Sequence, residues 1–500
     1  MAIMGLDIGT TGAKAVVFDL EGKILSSSYR EYNMHSPRPG WLELVPGEVL
    51  EAIKHVVGES CAKSPDKVKS VAMSQLGETG VPLDKNLQPL ANSIIGFDPR
   101  GDQECREFRE KVDTCEVFKI TGHPINSFHT LFKILHLKRH EPAVFSRMHK
   151  FLCYEDFVTL QLGFEPTIGY SLAARTLLFD VNRYGWSDTL CKQTGIAPSL
   201  FAKPAAPGTA IGTIGKNSLG FPEGAVLSVG LHDQPAGILG AGIAPGEAML
   251  ASGTVVCMGV LLNRQVDPAV MTKSNLCRYP TFGGNFVSLA WNFTGGVALK
   301  WFRDQFAGDL VDEARRVGKD PYDLIIAGLP QDPTKLILLP YFTTTGTPYL
   351  DTHASAVLMG LTLNTTRPQM ARGIMEGIAY ELRLNQELLG EADVKINQYK
   401  AIGGAAKSPF WMQIYADILN RPISILQTTE CAAWGAALLA AHGAGLLREP
   451  PDVWARKTSS VGKQYAPRPE PVQAYNQRFD IYREIYPKTK DLLHRLDQLS

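Results

Sequence analysis

The pattern of apolar and polar positions divides the start of the chain into short strands separated by turns and helices. Ile3–Asp7 and Ala15–Phe18 are apolar runs on either side of the polar turn Gly9–Gly12. Runs of this length around a Gly/Thr turn are typical of a β-hairpin, and Ile24–Tyr29 adds a third strand. Further apolar runs predict buried strands at Val68–Met73, Ser93–Phe97 and Ala225–Val229.

The same pattern restarts after Pro245. Glu247–Leu250 and Val255–Leu262 flank a second Gly/Thr turn at Ser252–Thr254. Because the two hairpins lie about 245 residues apart, they indicate a duplicated domain rather than a solenoid. We therefore expect two α/β domains, residues 1–243 and 244–500, with the boundary near Gly242–Pro245. Apolar periodicity predicts helices at 47–62, 101–118, 130–140, 155–162, 234–242, 294–305, 308–317, 367–391, 408–419, 431–443 and 473–499.

Composition excludes several classes of protein. The chain has 500 residues, of which 45% are hydrophobic and 20% charged, as in ordinary globular proteins. Fifty basic residues balance fifty acidic ones, so we expect no nucleic-acid partner. The longest apolar run, Ala432–Leu447, is too rich in small residues for a membrane span, and the N-terminus lacks the basic region of a secretory signal. Eight cysteines without a CxxC pair predict reduced thiols in the cytoplasm and no zinc site.

The turn of the first hairpin is the first candidate site. The backbone amides and hydroxyls of Gly9–Gly12 suit a phosphate, and Lys14 adds a positive charge. Asp7, at the end of the strand, is placed to hold Mg²⁺ through water. The GxxxxGK[ST] and GxGxxG patterns are both absent there, which excludes a Walker A loop. An ordinary hairpin turn is the alternative, and the residues alone leave it open.

Asp233 is the second candidate, because it follows the strand Ala225–Val229 and precedes a helix of small residues. Open α/β sheets bind ligands at such strand ends, where a carboxylate can accept the proton of a substrate hydroxyl. A helix N-cap is the alternative role, and His232 is expected to pack rather than to catalyse.

The third candidate is the segment Ala401–Ser408, in which a strand enters a Gly/Ala turn. The small residues of this turn leave space for a planar ring. A purely structural turn is the alternative interpretation.

Together these segments resemble the FGGY carbohydrate kinases. Gly5–Asp19 resembles the first phosphate motif of that family, Ala251–Thr254 the second, and Ala401–Asp417 the adenosine motif, in the right order. The resemblance implies the actin-like ATPase (ribonuclease H-like) fold, an α/β fold in which two duplicated domains flank a catalytic cleft that closes on substrate. It also implies that residues 1–243 bind the sugar and that residues 244–500 bind the nucleotide.

The resemblance further implies a reaction in which ATP phosphorylates a hydroxyl of a ketose, such as a ketopentose, or of a polyol. It gives Asp233 the role of general base, and it gives Asp7 and Asp233 the binding of Mg²⁺. No membrane partner is implied, and a homodimer is one assembly that the family shows. The residues assigned to the nucleotide are Asp7, Thr10, Thr11, Lys14, Thr254, Gly295, Gly296, Gly403, Gly404 and Ala405.

The residues expected to bind the substrate differ from those of glycerol kinases and of xylulose kinases. After Gln75 this chain has Leu76-Gly77-Glu78, where glycerol kinases carry Arg-Glu and xylulose kinases Met-His. The missing Arg disfavours glycerol, and Gly96 stands where the family often has a Trp that shapes the pocket. Structural roles stay open for Asp98, Arg100, Phe128 and His129. The residues assigned to the substrate are Gly77, Glu78, Asp98, Phe128 and Asp233.

Two other functions are compatible with the same fold. One is a regulatory ATPase gated by nucleotide, and the other is a sugar sensor without turnover. An ATPase that lacks an acceptor needs neither Asp233 nor Glu78, and a sensor needs no general base. The combination of Asp7, Lys14 and Asp233 therefore favours the kinase over both.

Overall fold

A six-stranded sheet carries the hairpin predicted at the N-terminus, in a computed structural model that describes residues 1–262 and 265–499. The strands lie in the order Ala210–Thr213, Val226–His232, Val68–Gln75, Ala2–Ile8, Gly12–Phe18 and Ile24–Glu31. The last three are antiparallel, whereas Ala2–Ile8, Val68–Gln75 and Val226–His232 are parallel. Parallel strands are covered on both faces, which explains their nearly continuous apolar sequences. The C-terminal ends of these three strands therefore lie side by side.

The second sheet repeats this arrangement. Glu247–Ser252 is antiparallel to Val256–Leu262 and parallel to Gln398–Ile402, so the second predicted hairpin is confirmed. Six of its seven strands lie in the order Phe286–Asn292, Val256–Leu262, Glu247–Ser252, Gln398–Ile402, Ile423–Leu426 and Val461–Tyr465, and the short strand Tyr279–Pro280 pairs with the first of them. The remaining short strands are Glu43–Leu44, Gly80–Leu83, Ser93–Ile94, Lys150–Cys153, Thr167–Gly169, Phe179–Asp180, Gly185–Trp186, Lys203–Ala205, Ile337–Leu339 and Val357–Met359.

The helices follow the predicted ranges closely, with one correction. The single helix expected over 101–118 is wrong, because the chain forms Asp102–Arg109 and Thr114–Thr121 instead. Asp113 separates the two helices by accepting hydrogen bonds from the amides of Cys115 and Glu116 as an N-cap. Within the described residues, no helix is both long and apolar enough to cross a membrane.

The helices fall into two groups along the chain. Those before residue 244 are Pro46–Lys63, Asp102–Arg109, Thr114–Thr121, Thr130–His140, Pro142–Arg147, Tyr154–Gln161, Tyr170–Arg175, Asp188–Thr194 and Asp233–Gly240. Those after it are Pro268–Lys273, Gly296–Phe306, Gly308–Val317, Pro321–Ala327, Arg367–Glu391, Pro409–Leu419, Cys431–Gly443, Pro451–Thr458 and Pro469–Asp497. Short 3₁₀ turns lie at Pro198–Leu200, Phe282–Gly284 and Gly404–Lys407.

The chain forms two compact units, and neither is a single continuous segment. The first unit consists of Met1–Ile243, Cys277–Val287 and Glu430–Ser459. The second consists of Ala244–Leu276, Ser288–Thr429 and Ser460–Ser500. The first sheet and the helix Cys431–Gly443 therefore belong to one unit although they are far apart in sequence.

The helix Cys431–Gly443 packs on the first sheet because small residues let two backbones meet. A Cβ on Gly5 would lie 1.8 Å from the carbonyl oxygen of Ala433. On its other side, a Cβ on Gly435 would lie 2.0 Å from the carbonyl oxygen of Ala236. No side chain fits at either contact. The buried residues around the helix and the first two strands are Ile3, Val16, Phe18, Ala433, Trp434, Ala437, Leu438, Ala441 and Ala455.

We expect Gly435→Ala to destabilise the protein although alanine favours helices. Its methyl group collides with Ala236, and overpacking of this kind costs about 1–3 kcal/mol. The matched control is Gly58→Ala within the helix Pro46–Lys63, where an added Cβ meets nothing within 4 Å. That change should raise the free energy of unfolding by about 0.5–1 kcal/mol. Thermal and urea unfolding of both variants test this, and equal stability would contradict the proposed close contact.

Candidate active site

Three adjacent strand ends in the first unit place Asp7, Ser74 and His232 at one edge of the sheet. Ser74 lies opposite both Asp7 and Leu231 in the strand register. The Ser74 hydroxyl donates to Asp7 Oδ1 at 2.7 Å. Burial raises the pKa of Asp7, the hydrogen bond from Ser74 lowers it, and the negative charge of Glu430 raises it further. The hydrogen bond from Ser74 uses only one carboxylate oxygen of Asp7, and burial disfavours the negative charge. Both features suit the binding of a cation.

Asp233 begins the helix Asp233–Gly240, directly after the strand Val226–His232. The N-cap alternative is not realised, because His232 takes that position without a capping hydrogen bond from its side chain. Asp233 Oδ1 lies 3.1 Å from His232 Nε2, and His232 Nδ1 lies 3.0 Å from the Tyr279 hydroxyl. Burial, followed by the charge of Arg175, lowers the pKa of His232 well below its usual range, so the ring is neutral.

The electrostatics of Asp233 match those of a proton acceptor. Burial, followed by the negative charge of Asp7, raises the pKa of Asp233 to about 7. Although His232 Nε2 lies close to it, Asp233 Oδ1 accepts no hydrogen bond within the described residues, so this oxygen is available to a substrate hydroxyl. The neutral ring packs beside the carboxylate without cancelling its charge. A general base is most effective when its pKa lies near the working pH.

Glu78 and Gly77 lie against a residue that the sequence did not single out. Arg175, at the end of the helix Tyr170–Arg175, forms an ion pair with Glu78. A Cβ on Gly77 would lie 2.8 Å from His232 Nε2 and 3.4 Å from Arg175 Nε. Glycine at this position therefore leaves the space that the histidine and the guanidinium occupy.

Phe128 contributes to the same region through Arg175. The Arg175 guanidinium lies 5.6 Å from the centre of the Phe128 ring and 5.9 Å from that of Tyr279. Both distances fall within the range of a cation–π contact. His129 has a structural role, because its two ring nitrogens each lie 3.1 Å from a carbonyl oxygen, that of Arg175 or that of Pro124, and the neutral ring donates to one of them.

Asp98 is held by protein groups at both of its oxygens. Arg100 donates to Oδ1 from Nε at 2.9 Å and to Oδ2 from a terminal nitrogen at 2.8 Å, and the Leu42 amide donates to Oδ2 at 2.5 Å. Burial would raise the pKa of Asp98, but the hydrogen bonds from Arg100 and Leu42 bring it below its usual value. The geometry favours an ordering role for this loop, and contact with substrate stays a prediction.

The hairpin turn presents Thr10 and Thr11 beside a lysine that already has a partner. The Lys14 ammonium donates to both carboxylate oxygens of Glu430, at 3.0 and 3.1 Å. The turn is fixed by the Tyr32 hydroxyl, which donates to the Gly9 carbonyl, and by the Tyr32 amide, which donates to Thr11. A phosphate at this turn would therefore compete with Glu430 for Lys14.

In the second unit, three of the predicted nucleotide segments meet. The amides of Gly295 and Gly296 donate to the carbonyl oxygens of Thr254 and Gly253 at 2.9 and 2.8 Å. Gly403 has φ +96°, and a Cβ there would lie 2.5 Å from the Ser252 carbonyl oxygen. Gly404 and Ala405 follow in the 3₁₀ turn Gly404–Lys407. The helix Gly296–Phe306 starts at this cluster, and its first amides are bonded to these carbonyl groups.

The sequence pattern did not single out Arg175, Tyr279, Ser74 and Glu430. Each acts on a residue that was singled out, but from another segment of the chain. Lys14 and Glu430, for example, are 416 positions apart. A signal was present for Arg175, which is the one charged residue in the otherwise apolar stretch 172–179.

Residues 2–240 match the N-terminal domain of the FGGY family of carbohydrate kinases, and residues 248–444 match the C-terminal domain of that family. The xylulose kinase of Bacillus subtilis is 29% identical over 507 residues, covering 98% of this chain and 97% of that protein. The gluconokinase of the same organism is 26% identical over 482 residues, covering 93% of this chain and 91% of that protein.

Among solved structures, a ligand-bound xylulose kinase from Lactobacillus acidophilus superposes with a TM-score of 0.89 at 24% identity. The match covers 98% of each chain. Together with the two family domains, it confirms the predicted α/β fold of the actin-like ATPase class.

We expect Gly403→Ala to weaken the binding of ADP by at least about tenfold, a loss of roughly 1.4 kcal/mol. The added Cβ forces Gly403 out of its left-handed conformation and away from Ser252. The control is Gly390→Ala, at a helical position of the second unit where an added Cβ meets nothing within 4 Å. Calorimetric titration with ADP measures both variants. Wild-type affinity in a folded Gly403→Ala protein would exclude this cluster as the nucleotide site.

Proposed function

Because this chain belongs to the FGGY family of carbohydrate kinases, we propose that it transfers the γ-phosphoryl group of ATP to a hydroxyl of a ketose, such as a ketopentose, or of a polyol. The observation that carries the proposal is the position of Asp233 at a strand end beside Asp7, with the Glu78–Arg175 pair nearby. The relatives include a xylulose kinase and a gluconokinase, so the choice of acceptor has to come from this chain's own residues.

Asp233 acts as the general base in this proposal. Its carboxylate accepts the proton of the acceptor hydroxyl while the oxygen attacks the γ-phosphorus. The neutral His232 ring packs beside the carboxylate, and its Nδ1 lies 3.0 Å from the Tyr279 hydroxyl. A proton acceptor of this kind contributes about 10²–10⁴ in rate.

The residues at the strand ends fit a magnesium ion. Asp7 and Asp233 are both acidic, and the charge of Asp7 raises the pKa of Asp233, so a cation beside them relieves a repulsion. Carboxylate oxygens are also the ligands that Mg²⁺ prefers. Asp7 would hold the ion, in part through water, and Asp233 would face it. When bound, the ion neutralises charge on the β- and γ-phosphates.

The nucleotide is assigned to residues of both units. Gly403, Gly404 and Ala405 accommodate the adenosine part, and Thr254 offers a hydroxyl for phosphates. Gly295 and Gly296 hold the turn of Thr254 in place, because their amides donate to the carbonyl oxygens of Thr254 and Gly253. Thr10, Thr11 and Lys14 provide the corresponding groups in the first hairpin. Phosphoryl transfer requires positioning and charge stabilisation more than covalent chemistry, and these residues supply both.

We expect Asp233→Asn to lower kcat by about 10²–10⁴ while the KM for ATP stays within about threefold of wild type. Asparagine keeps the shape of the side chain but cannot take the proton. The matched control is Asp188→Asn, since Asp188 also begins a helix of the first unit and is exposed. Coupled ADP-release assays with a ketopentose acceptor measure both variants. Full turnover by Asp233→Asn would remove Asp233 from the reaction.

The pH dependence of kcat/KM should report the ionisation of Asp233. A base works only when it is deprotonated, and the pKa of Asp233 is raised to about 7. We therefore expect kcat/KM for the acceptor to be constant well above pH 7 and to fall about tenfold per unit below it. A profile that stays flat down to pH 5 in folded protein would contradict the assignment.

A further inference from the structure

Two histidines and a glutamate of the first unit, none of them part of the candidate active site, lie close together. His136 and His140 are on the helix Thr130–His140, and their spacing of four residues places them on the same face. Glu104 comes from the helix Asp102–Arg109, which packs against that helix. One ligand atom from each of the three side chains lies within 4.8 Å of the others. We call these three residues the His–Glu cluster.

Two members of the His–Glu cluster are buried. Glu104 is 5% exposed and His136 is 8% exposed, whereas His140 lies at the surface. Within the described residues, the buried His136 Nε2 has no hydrogen-bond partner. Buried polar atoms without a partner are rare in folded proteins, and each calls for an explanation such as a bound ion. The His136 ring is therefore a candidate ligand.

Glu104 has a carboxylate oxygen that a further partner can use. Arg139 donates to Oε1 at 3.0 Å, and His140 Nε2 lies 3.3 Å from the same oxygen, which leaves Oε2 for another contact. Arg139 does not depend on Glu104, because it also donates to both carboxylate oxygens of Glu107, at 3.0 and 2.6 Å. Glu104 and Glu107 carry two negative charges against the one positive charge of Arg139, which favours a cation between them and the histidines.

Two imidazoles and one carboxylate are a typical ligand set for zinc. Sites of this type bind Zn²⁺ through three protein ligands at about 2.0–2.2 Å and leave a fourth position open. Mg²⁺ and Ca²⁺ prefer oxygen ligands, so two ring nitrogens disfavour both ions. In a tetrahedral site with these bond lengths, the ligand atoms lie about 3.3–3.5 Å apart. Rotation of the exposed His140 side chain can bring the three atoms to this separation, since they already lie within 4.8 Å.

We propose that Glu104, His136 and His140 bind one divalent transition-metal ion, for which Zn²⁺ is the best match. The cysteine spacing argues against a zinc site made of thiolates, and none of these three ligands is a cysteine. The site is distinct from the one proposed for magnesium at Asp7. It also does not depend on the proposed kinase function, because it shares no residue with the candidate active site.

A metal ion at the His–Glu cluster would join the helix Thr130–His140 to the helix Asp102–Arg109. The first of these helices also supports the loop that precedes the second. The buried Lys133 ammonium donates to the carbonyl oxygens of Asp98 and Arg100 in that loop. We therefore expect the ion to stabilise this part of the first unit.

Calorimetric titration of the metal-free protein with ZnCl₂ tests the site directly. Excess Mg²⁺ is present throughout, so that the acidic strand ends do not compete for Zn²⁺. We expect one Zn²⁺ per chain with a Kd of about 10 μM or tighter. His140→Ala removes an exposed ligand and should weaken binding at least about tenfold, since even the loss of an outer-shell partner costs about 10–100-fold. A wild-type protein that binds no Zn²⁺, or equal affinity in His140→Ala, would overturn the proposal.

The matched control for this titration is His55→Ala. His55 also lies exposed on a helix of the first unit, and its Nε2 is 3.4 Å from Oε2 of Glu59, one turn away. It belongs to no group of three metal ligands within the part of the chain that the structure describes. We expect His55→Ala to keep the wild-type affinity for Zn²⁺. A loss as large as that in His140→Ala would indicate unspecific binding to surface histidines and would contradict the assigned site.

Co²⁺ reports the geometry of the ligands, because the tetrahedral ion absorbs visible light much more strongly than the octahedral hydrated ion. We expect strong absorption with wild-type protein and its loss in both His140→Ala and Glu104→Gln. Glutamine keeps the shape of Glu104 but removes the charged ligand. If Glu104→Gln does not fold, as judged by thermal unfolding, His140→Ala decides the comparison. Weak octahedral absorption by the wild-type complex would rule out these three ligands.

Urea unfolding provides a readout that does not depend on spectroscopy of the metal. A ligand that binds only the folded state at about 100 times its Kd lowers the equilibrium constant for unfolding about 100-fold. We expect a decrease of this size on addition of ZnCl₂ to wild-type protein and a much smaller one for His140→Ala. An equal decrease in both proteins would place the ion elsewhere and would refute the proposal.

Discussion

The first unit depends on one close contact between backbones, that of the strand Ala2–Ile8 with the helix Cys431–Gly443. Gly5 is required there because any side chain would enter the carbonyl group of Ala433, and Gly435 is required for the same reason where this helix meets Ala236. The contact fixes the central parallel strands, whose ends carry Asp7 and Asp233. It also brings Glu430, the residue before the helix, to Lys14. The surroundings of the Gly9–Gly12 turn therefore include a residue from a remote part of the chain.

The candidate site concentrates charges that burial disfavours. Asp7 and Asp233 both have raised pKa values, Glu78 and Arg175 are paired away from water, and Glu78 holds a strained backbone conformation. Removing ions from water costs several kcal/mol each, which attraction within the protein offsets only in part. The packing of the sheets offsets this unfavourable free energy. Such an arrangement is useful when a substrate forms hydrogen bonds with the buried charged groups.

Much of the fold follows from local signals in the sequence. Apolar runs and Gly/Thr turns located both hairpins, and the strand before Asp233 placed that residue at a sheet edge, as the structure has it. The break at Asp113 was missed although an Asp at a helix start is a local signal. The Arg175–Glu78 and Lys14–Glu430 pairs could not be predicted, because no periodicity links residues so far apart. Asp98 shows a different limit of prediction from sequence. It was assigned to the substrate by resemblance, but hydrogen bonds from Arg100 and Leu42 already use both of its carboxylate oxygens.

The interleaved composition of the first unit has a consequence for how the protein is made. Its sheet is translated early, but the helix that covers it, Cys431–Gly443, leaves the ribosome only after most of the second unit. Until then, Ile3, Val16 and Phe18 have no apolar cover from that side. Nascent chains expose such surfaces to aggregation, and chaperones commonly shield them. Residues 1–243 are thus an incomplete folding unit. The part of the gene that encodes them would not give a complete domain if it were transferred without the part that encodes Cys431–Gly443.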